Sequence, residues 1–320
     1  MSEFRIESLQ EGLAFGARIR GLDRDRLADE AVRKALRQAF ETYGMLVFED
    51  VEPSSAMQAE ISNVFGPLKE HPVASLARVD PDAMPGVVQI NSPANSGGVV
   101  ELDGELLSHW LPWHYDHCYN NHLNRAGVLR AVEIVPQGGL TGFIDGISLY
   151  ADLPADLRAR IEDKEILYTL NVQYDRMRFG LPENFRVVRR KPAPPEFEAQ
   201  AAAMPRAIHP AVWTRSTGEK VLHVSPWMAA GIAGDETPEG DRLLEDICQE
   251  IRRLAQLNSY HHRWKPTQMI IWDNWRMLHA VSGHDPSLGR LMYRTTIEGD
   301  YGLGRFEHDG VGGKILETTV

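Results

Sequence analysis

The feature of the sequence that most constrains its fold is a series of short strand-like segments without regular intervening helices. Runs rich in β-branched and aromatic residues occupy 45–48, 87–90, 127–135, 141–145, 221–224, 269–272 and 291–297. Apolar residues recur with helical spacing at 23–43, 53–64, 155–163 and 239–257. Because doubly wound folds need strands and helices to alternate, the pattern predicts a mainly β (α+β) fold, an antiparallel sandwich or jelly roll with peripheral helices.

Two long stretches lack a clear period. Residues 92–111 contain glycines and polar side chains, and we interpret them as a loop that leads into a strand at 113–117. Residues 172–206 are rich in Arg, Pro and Glu, and a long irregular insert of this kind is often a lid or a binding loop. We therefore predict a lid or insert around 172–206.

The charge balance and the cysteine content exclude several classes of protein. The formal net charge of -11 argues against a general nucleic-acid binder, although it leaves room for a local basic pocket. With only Cys118 and Cys248, no disulfide framework is implied, and a reducing cytoplasm is the expected compartment. The N-terminus lacks the apolar run of a signal peptide, and we see no apolar window long enough for a membrane span.

The clearest chemical signal is the run Trp113-His114-Tyr115-Asp116-His117. In an extended strand, the side chains of His114 and Asp116 leave from the same face. One further imidazole would complete a set of two His and one carboxylate, which holds Fe(II) and leaves positions open for substrate and O2. His279 is our candidate for that third ligand. A strand histidine beside a surface aspartate remains the alternative, and further candidate histidines are His261, His262 and His284.

Two arginines follow His279 at a spacing that points to an anion. In a strand over 288–297, Arg290 and Arg294 share one face, and buried unpaired arginines are costly. A dicarboxylate co-substrate would provide the partner for a two-pronged arginine contact. Thr141, after the Gly138-Gly139 turn, could donate a hydrogen bond from its hydroxyl to the same carboxylate. Ordinary structural ion pairs, and a strand-initiating threonine, are the alternatives.

Taken together, the order and spacing of these motifs resemble the taurine dioxygenase and 2,4-dichlorophenoxyacetate dioxygenase (TauD/TfdA) family of Fe(II)/2-oxoglutarate oxygenases. The resemblance spans about residues 12–300. It is carried by the segments 16–23, 43–48, 65–68, 71–72, 113–116, 138–141, 209–210, 217–220, 272–274 and 279–300.

The resemblance implies a single domain over 1–320 with a double-stranded β-helix core (jelly roll, cupin-like). It implies that His114, Asp116 and His279 are the iron ligands and that Arg290 and Thr141 bind the far carboxylate of 2-oxoglutarate. A further implication is that two positions, Arg294 and His71, face the anionic end of the substrate.

Departures from the family pattern bear on the substrate. The usual Gly-Gly-Asp-Thr is Gly-Gly-Leu-Thr at 138–141, which leaves the chemistry untouched. Ala74 and Trp110 replace a tyrosine and an asparagine of the taurine enzyme, and both changes favour a larger, more apolar substrate. Trp110, Trp227 and Met228 are plausible pocket walls, although a large buried tryptophan is more often simply core.

The predicted activity is hydroxylation of a small to medium organic acid by O2, coupled to conversion of 2-oxoglutarate to succinate and CO2. The carboxylate ligand Asp116 argues against halogenation. Desaturation, ring closure or C–X bond cleavage remain alternatives, as do a non-catalytic organic-acid-binding protein and a zinc hydrolase. We also expect a homo-oligomer, a dimer or tetramer, in the cytoplasm, with no nucleic-acid or membrane partner.

Overall fold

Strands make up most of the regular structure. A computed structural model describes residues 3–69 and 86–308. Its strands are β1 Arg5–Ser8, β2 Ala17–Arg20, β3 Met45–Phe48, β4 Val87–Ser92, β5 Val99–Leu102, β6 Glu105–His114, β7 Ala126–Glu133, β8 Thr141–Asp145, β9 Glu165–Tyr168, β10 Phe185–Arg189, β11 Ala207–Pro210, β12 Val212–Thr214, β13 Lys220–Leu222, β14 Ala229–Ile232, β15 Tyr260–His262, β16 Met269–Asp273, β17 Met277–His284, β18 Arg290–Ile297 and β19 Arg305–Phe306.

The helices lie between these strands. They are α1 Arg24–Leu27, α2 Glu30–Tyr43, α3 Ser55–Phe65, α4 Gly146–Asp152, α5 Ala155–Ile161, α6 Pro195–Ala203 and α7 Pro238–Asn258. The helix predicted over 23–43 is divided in two, because Asp29 caps α2 by accepting a hydrogen bond from the Ala31 amide. Gly44, with φ of 70°, ends α2 in the left-handed conformation that glycine adopts readily. Within the described residues, no helix has the length and apolar character needed to cross a membrane.

Two large sheets form the body of the fold. The seven-stranded sheet has the order β1-β2-β3-β16-β7-β18-β4, and the six-stranded sheet has the order β10-β5-β6-β17-β8-β15. From β6 to β8, and again from β15 to β18, successive strands alternate between the two sheets. This alternation is how a double-stranded β-helix winds, so the prediction of a mainly β fold with a jelly-roll core is confirmed.

Apolar side chains explain how these layers pack. Phe143, Trp272, Met277 and Met292 belong to one buried cluster between the large sheets. Residues of α2 and α3 pack against β3 in a second cluster, and α7 contributes to a third. Complete burial of one leucine or isoleucine side chain contributes about 2 kcal/mol of transfer free energy. The helices are therefore held to the sheets mainly through their apolar faces.

The prediction of a loop over 92–111 is wrong. Strands β5 and β6 pair there as an antiparallel hairpin in which Leu102 lies opposite Glu105. The two connecting residues, Asp103 and Gly104, have φ values of 52° and 85°. Positive φ at both positions is typical of a type I′ turn, for which Asp-Gly is a preferred sequence. The Asp-Gly dipeptide indicates this turn in the sequence, but the polar residues around it make the two strands hard to recognise.

Two further expectations need adjustment. The strand predicted over 113–117 ends at His114, and Asp116 lies in the turn that follows. The segment 172–206 contains regular structure of its own, namely a 3-10 helix at Tyr174–Arg176 together with β10 and α6. Because β10 pairs with β5, this segment is attached to the edge of the six-stranded sheet.

Candidate active site

The register between β6 and β17 brings the two distant motifs together. His279 is the direct partner of His114 in the antiparallel pair, and their ring centroids are 4.1 Å apart. One ligand atom from each of His114, Asp116 and His279 lies within 4.8 Å of the others, and all three residues are buried. Among the described residues, no other group of three potential ligands of this kind was found. The three residues chosen from the sequence therefore converge.

Asp116 is held by backbone contacts rather than by strand pairing. Its amide donates to Oδ1 of Asn274 at 2.7 Å, and Nδ2 of Asn274 donates to the Asp116 carbonyl at 3.0 Å. Asn274 directly follows β16 and is fully buried. The sequence does not indicate this role of Asn274, since a single amide side chain gives no sign of its partner. Its position in the Trp-Asp-Asn run was the only available signal.

Arg294 contacts the carboxylate of Asp116 through both terminal nitrogens. The distances are 3.1 Å from Nη1 to Oδ1 and 2.5 Å from Nη2 to Oδ2. Oδ1 also lies 3.7 Å from Nε2 of His279, so this oxygen faces the histidines. Arg294 therefore lies at the site, as expected, but its two terminal groups are engaged by Asp116, and its buried Nε has no hydrogen-bond partner among the described residues.

The protonation states suit metal ligation. Burial lowers the pKa of His114 and the pKa of His279, so both imidazoles are neutral at pH 7. Burial alone would raise the pKa of Asp116, but opposing electrostatic interactions, of which the charge of Arg294 is the largest, bring this pKa below its usual range. Neutral imidazole and ionised carboxylate are the forms that bind metal ions.

The hydrogen bonding of His114 leaves one ring nitrogen available. Its Nδ1 lies 2.7 Å from the carbonyl oxygen of Pro112, which assigns Nδ1 as the donor and Nε2 as the free nitrogen. A backbone carbonyl that orients a ligating histidine in this way is a common outer contact of metal sites. Two imidazoles and one carboxylate are the donor set of non-haem Fe(II) oxygenases, so these residues fit that metal.

Arg290 is a buried cation without an acidic partner among the described residues. It is 3% exposed, and its Nη2 has no hydrogen-bond partner. Burial lowers the pKa of Arg290 to about 10, so the side chain is still protonated at neutral pH. Gly139 allows this arrangement, because a Cβ there would lie 2.7 Å from Val135 and 3.4 Å from Nε of Arg290. A buried, unsatisfied guanidinium fits a carboxylate ligand.

Thr141 lies at the start of β8 and is 1% exposed. Its hydroxyl accepts a hydrogen bond of 3.0 Å from Nε1 of Trp264. The sequence gives no indication of a role for Trp264, because a sequence does not reveal side-chain hydrogen bonds between distant residues.

Aromatic residues surround one side of the ligand set. The Trp227 ring lies edge-on to the His114 ring at a centroid distance of 5.0 Å. Tyr174 lies 6.1 Å from Trp227 and 5.5 Å from Trp110, so the three rings are continuous. Met228 contacts Cys118 at a sulfur–sulfur distance of 3.9 Å and has a left-handed φ of 72°. Tyr174 was not singled out from the sequence, because it lies in the aperiodic segment 172–206.

The remaining candidates lie elsewhere. His71 falls outside the described residues. Of the alternative histidines, His261 and His262 are in β15 and His284 is the last residue of β17. None of these three belongs to the group of potential ligands around His114.

Comparison with known proteins identifies the family of the chain. The family model described as Taurine catabolism dioxygenase TauD, TfdA family matches residues 5–296. The chain is 31% identical over 289 residues to the (S)-phenoxypropionate/alpha-ketoglutarate-dioxygenase of Sphingobium herbicidovorans, covering 89% of this chain and 92% of that protein. It is 27% identical over 292 residues to the alpha-ketoglutarate-dependent 2,4-dichlorophenoxyacetate dioxygenase of Cupriavidus pinatubonensis, covering 89% and 95%.

Solved structures show the same fold. A taurine dioxygenase from Burkholderia xenovorans superposes with a TM-score of 0.68 at 22% identity, covering 98% of each chain. A structure of AAD-2 in complex with Mn(II) and N-oxalylglycine also has a TM-score of 0.68, at 23% identity, covering 93% of this chain and 98% of that one. On the family match and the relative at 31% identity, the chain belongs to the TauD, TfdA family of dioxygenases.

Proposed function

We propose that this chain is an Fe(II)/2-oxoglutarate-dependent dioxygenase that hydroxylates a small to medium organic acid. The observation that carries the proposal is the convergence of His114, Asp116 and His279 in a fold that also buries an unpaired arginine, Arg290. Relatives named for alpha-ketoglutarate-dependent oxidation of phenoxypropionate and 2,4-dichlorophenoxyacetate support the same class of reaction.

In this proposal the metal is held by Nε2 of His114, by a carboxylate oxygen of Asp116 and by His279. When bound together, Fe(II), 2-oxoglutarate and O2 supply oxidation of a substrate C–H bond, with 2-oxoglutarate converted to succinate and CO2. Arg294 keeps Asp116 ionised and holds both of its carboxylate oxygens, and Oδ1 also faces His279, so this oxygen would be the one to contact the metal. The protein's own contribution is ligand geometry and the exclusion of water.

Arg290 and Thr141 would bind the far carboxylate of 2-oxoglutarate. The guanidinium already carries the desolvation cost of burial, so an entering carboxylate neutralises a charge that the described residues leave unpaired. The bond between two charged groups is also about twice as strong as a neutral hydrogen bond. A co-substrate with a second carboxylate is therefore favoured over a simple keto acid.

The substrate is proposed to be an organic acid with a flat apolar or aromatic body. The continuous rings of Trp110, Tyr174 and Trp227 next to His114 support this choice, since aromatic surfaces pack well against one another. The named substrates of the relatives also combine an aromatic ring with a carboxylate. Arg294, through its free Nε, is our candidate to contact the acid group, and His71 remains a second candidate from the sequence.

We further propose that 172–206 covers the substrate pocket as part of a single domain spanning the chain. The hydroxyl of Tyr174 donates to the Trp110 carbonyl at 2.5 Å, which attaches this segment to β6 beside the aromatic rings. A cytoplasmic homo-oligomer, a dimer or tetramer, completes the proposal. Its support is two buried free thiols and two exposed apolar side chains, Leu106 and Val188, on strands of the six-stranded sheet. Light scattering of the purified protein measures the oligomeric state.

An anaerobic titration tests the cofactor assignment. Apo-protein receives Fe(II) and then 2-oxoglutarate, and the visible charge-transfer band of a chelated keto acid is recorded. We expect the band in the parent, its loss in His279→Ala, and a much higher 2-oxoglutarate requirement in Arg290→Ala. His122→Ala is the control, because this histidine is exposed and lies outside the ligand group.

The same titration separates the alternatives. If the folded parent binds metal but gives no band, the oxygenase proposal fails, and a zinc hydrolase or an organic-acid-binding protein takes its place. If the band appears, a screen for succinate formation identifies substrates, and mass analysis of the product distinguishes an added oxygen atom from desaturation or C–X cleavage.

A further inference from the structure

We infer that Trp264 is a positioning residue that sets the preference of the keto-acid pocket for a second carboxylate, by fixing the hydroxyl proton of Thr141. This inference rests on the proposed function, because it concerns the same 2-oxoglutarate site. It assigns a role to a residue that lies outside the group of potential metal ligands.

The first support is the hydrogen bond between the two side chains. Nε1 of Trp264 donates to Oγ1 of Thr141 at 3.0 Å, and both residues are more than nine-tenths buried. An indole N–H can only donate, so the threonine oxygen must be the acceptor. A hydroxyl has one proton to donate and two lone pairs to accept with, and the indole occupies one lone pair. The proton of Thr141 is therefore turned away from Trp264.

The second support is that, among the described residues, no protein group accepts a hydrogen bond from the Thr141 hydroxyl. In the described residues, Trp264 is the side chain that hydrogen-bonds the Thr141 hydroxyl. A buried hydroxyl proton without an acceptor is costly, so the site favours a ligand that can accept it. A carboxylate oxygen is such an acceptor, whereas the methyl end of a monocarboxylic keto acid is not.

The third support is that Trp264 contacts Thr141 and also lines a cavity with Arg290. Gly139, Leu140 and Met292 line the same cavity, as do two further charged residues, Glu133 and Arg263. Thr141 belongs to the six-stranded sheet and Arg290 to the seven-stranded sheet. The indole of Trp264 therefore links the cavity lined by Arg290 to the hydroxyl of Thr141, which belongs to the other large sheet. Through this contact it orients the neutral donor, the Thr141 hydroxyl, relative to the charged donor, the Arg290 guanidinium.

Trp264 also has a packing role that an experiment must separate from this one. Its ring belongs to the apolar cluster between the sheets and lies edge-on to His262 at 4.7 Å. Trp264→Phe keeps an aromatic ring but removes the indole N–H together with the rest of the five-membered ring, so it tests the hydrogen bond with less loss of packing than Trp264→Ala. Trp213→Phe is the matched control, because Trp213 donates an equivalent bond of 2.8 Å to the Trp275 carbonyl, away from this cavity.

The experiment measures binding rather than turnover. Calorimetric titrations of the Fe(II)-loaded protein without O2 compare 2-oxoglutarate with 2-oxopentanoate, which has the same chain length but no second carboxylate. For Trp264→Phe we expect the Kd of 2-oxoglutarate to rise about fivefold, the range for one hydrogen bond, while the Kd of 2-oxopentanoate stays the same. In a Thr141→Val background, Trp264→Phe should cause no further loss. Trp213→Phe should change neither Kd.

The outcomes separate the inference from the proposal on which it rests. Equal weakening of both acids by Trp264→Phe, or an additive loss with Thr141→Val, would mean that Trp264 acts only through packing, and the inference would be overturned. If the parent itself binds neither acid, or binds both equally, the proposed co-substrate site fails instead. A reduced ratio of the two affinities in Trp264→Phe alone supports the positioning role.

Discussion

Arg294 and Asp116 form a two-pronged ion pair at the centre of the site, with N–O distances of 3.1 and 2.5 Å. The carboxylate side chain is 9% exposed and the guanidinium side chain 19% exposed. Both terminal nitrogens of Arg294 hold the Asp116 carboxylate, so Arg294 has a structural role in addition to its proposed contact with substrate.

Removal of this arginine should destabilise the apo-protein. We expect Arg294→Gln to lower the free energy of unfolding at pH 7 by about 3 kcal/mol, because it leaves a buried carboxylate without its counter-charge. The lowered pKa of Asp116 gives the sign of the pH dependence. The pair stabilises the fold above the unfolded pKa of about 4, and the contribution is lost as pH falls below it.

Urea unfolding at several pH values checks this prediction. The difference between parent and Arg294→Gln should be largest near pH 7 and shrink in acid. Arg186→Gln is the control, because its pair with Glu101 lies at the protein surface, where an ion pair contributes little to stability. A constant difference from pH 7 down to pH 3 would contradict the electrostatic explanation.

Arg290→Met should increase stability while reducing co-substrate binding. Replacing a buried unpaired charge by an apolar chain of similar length should raise the free energy of unfolding of the apo-protein by about 1 kcal/mol. The same change should weaken 2-oxoglutarate binding by about 100-fold, because a charged two-pronged contact is lost. Thermal melts and the anaerobic titration measure the two effects.

Arg130→Met is the matched control for that variant. Arg130 is also buried, but it donates to Gln58, to the Pro53 carbonyl and to Ser55, and it lies over the Tyr293 ring. We expect this control to destabilise the protein. If Arg290→Met destabilises it to the same extent, Arg290 has a structural partner and is not held ready for a ligand.

Trp227 should determine how tightly the conversion of 2-oxoglutarate to succinate is coupled to oxidation of the substrate. For an aromatic acid that the parent oxidises, Trp227→Ala should raise KM about tenfold or more, because it removes a ring packed against His114. Trp227→Phe should retain most of the affinity. The measurement is the ratio of product to succinate, which should fall in the alanine variant. An unchanged ratio and KM would place the substrate away from Trp227.

The stability of the Asp103-Gly104 turn should depend on the left-handed backbone conformation of Gly104 and not on side-chain contacts at that position. A Cβ at Gly104 would meet no atom within 4 Å, so Gly104→Ala adds only the cost of a left-handed residue. We expect a loss of about 1 kcal/mol in the free energy of unfolding, and a smaller loss for Gly104→Asn. Equal stability of all three proteins would argue against a type I′ turn.

The sequence predicted those features whose signal is local or periodic. Strands such as β3 and β16, and helices such as α2 and α7, appeared because burial imposes apolar spacing on nearby residues. His114, Asp116 and His279 were chosen from a motif and from a family resemblance, and the structure brings them together. The strand geometry that was expected to bring His114 and Asp116 together does not account for Asp116. This residue lies beyond the end of β6 and is positioned by its hydrogen bond to Asn274.

The features that were missed depend on contacts between distant residues. Three such contacts are the ion pair of Arg294 with Asp116, the hydrogen bonds between Asn274 and Asp116, and the hydrogen bond from Trp264 to Thr141. Each contact joins residues more than 100 positions apart. Nothing in the residue types specifies which of several possible partners is taken. Tyr174 was hidden for a related reason, since its segment has no periodic pattern.

The pairing of β6 with β17 has a consequence for how a newly made chain acquires its metal. Asp116 and the residue that orients it, Asn274, are 158 positions apart, and His279 follows later still. A ribosome-bound chain that carries only His114 and Asp116 has two of the three proposed iron ligands and lacks the strand that carries His279. On the proposed function, iron would therefore be bound only after β17 has been synthesised, and a protein truncated before β17 should not retain iron.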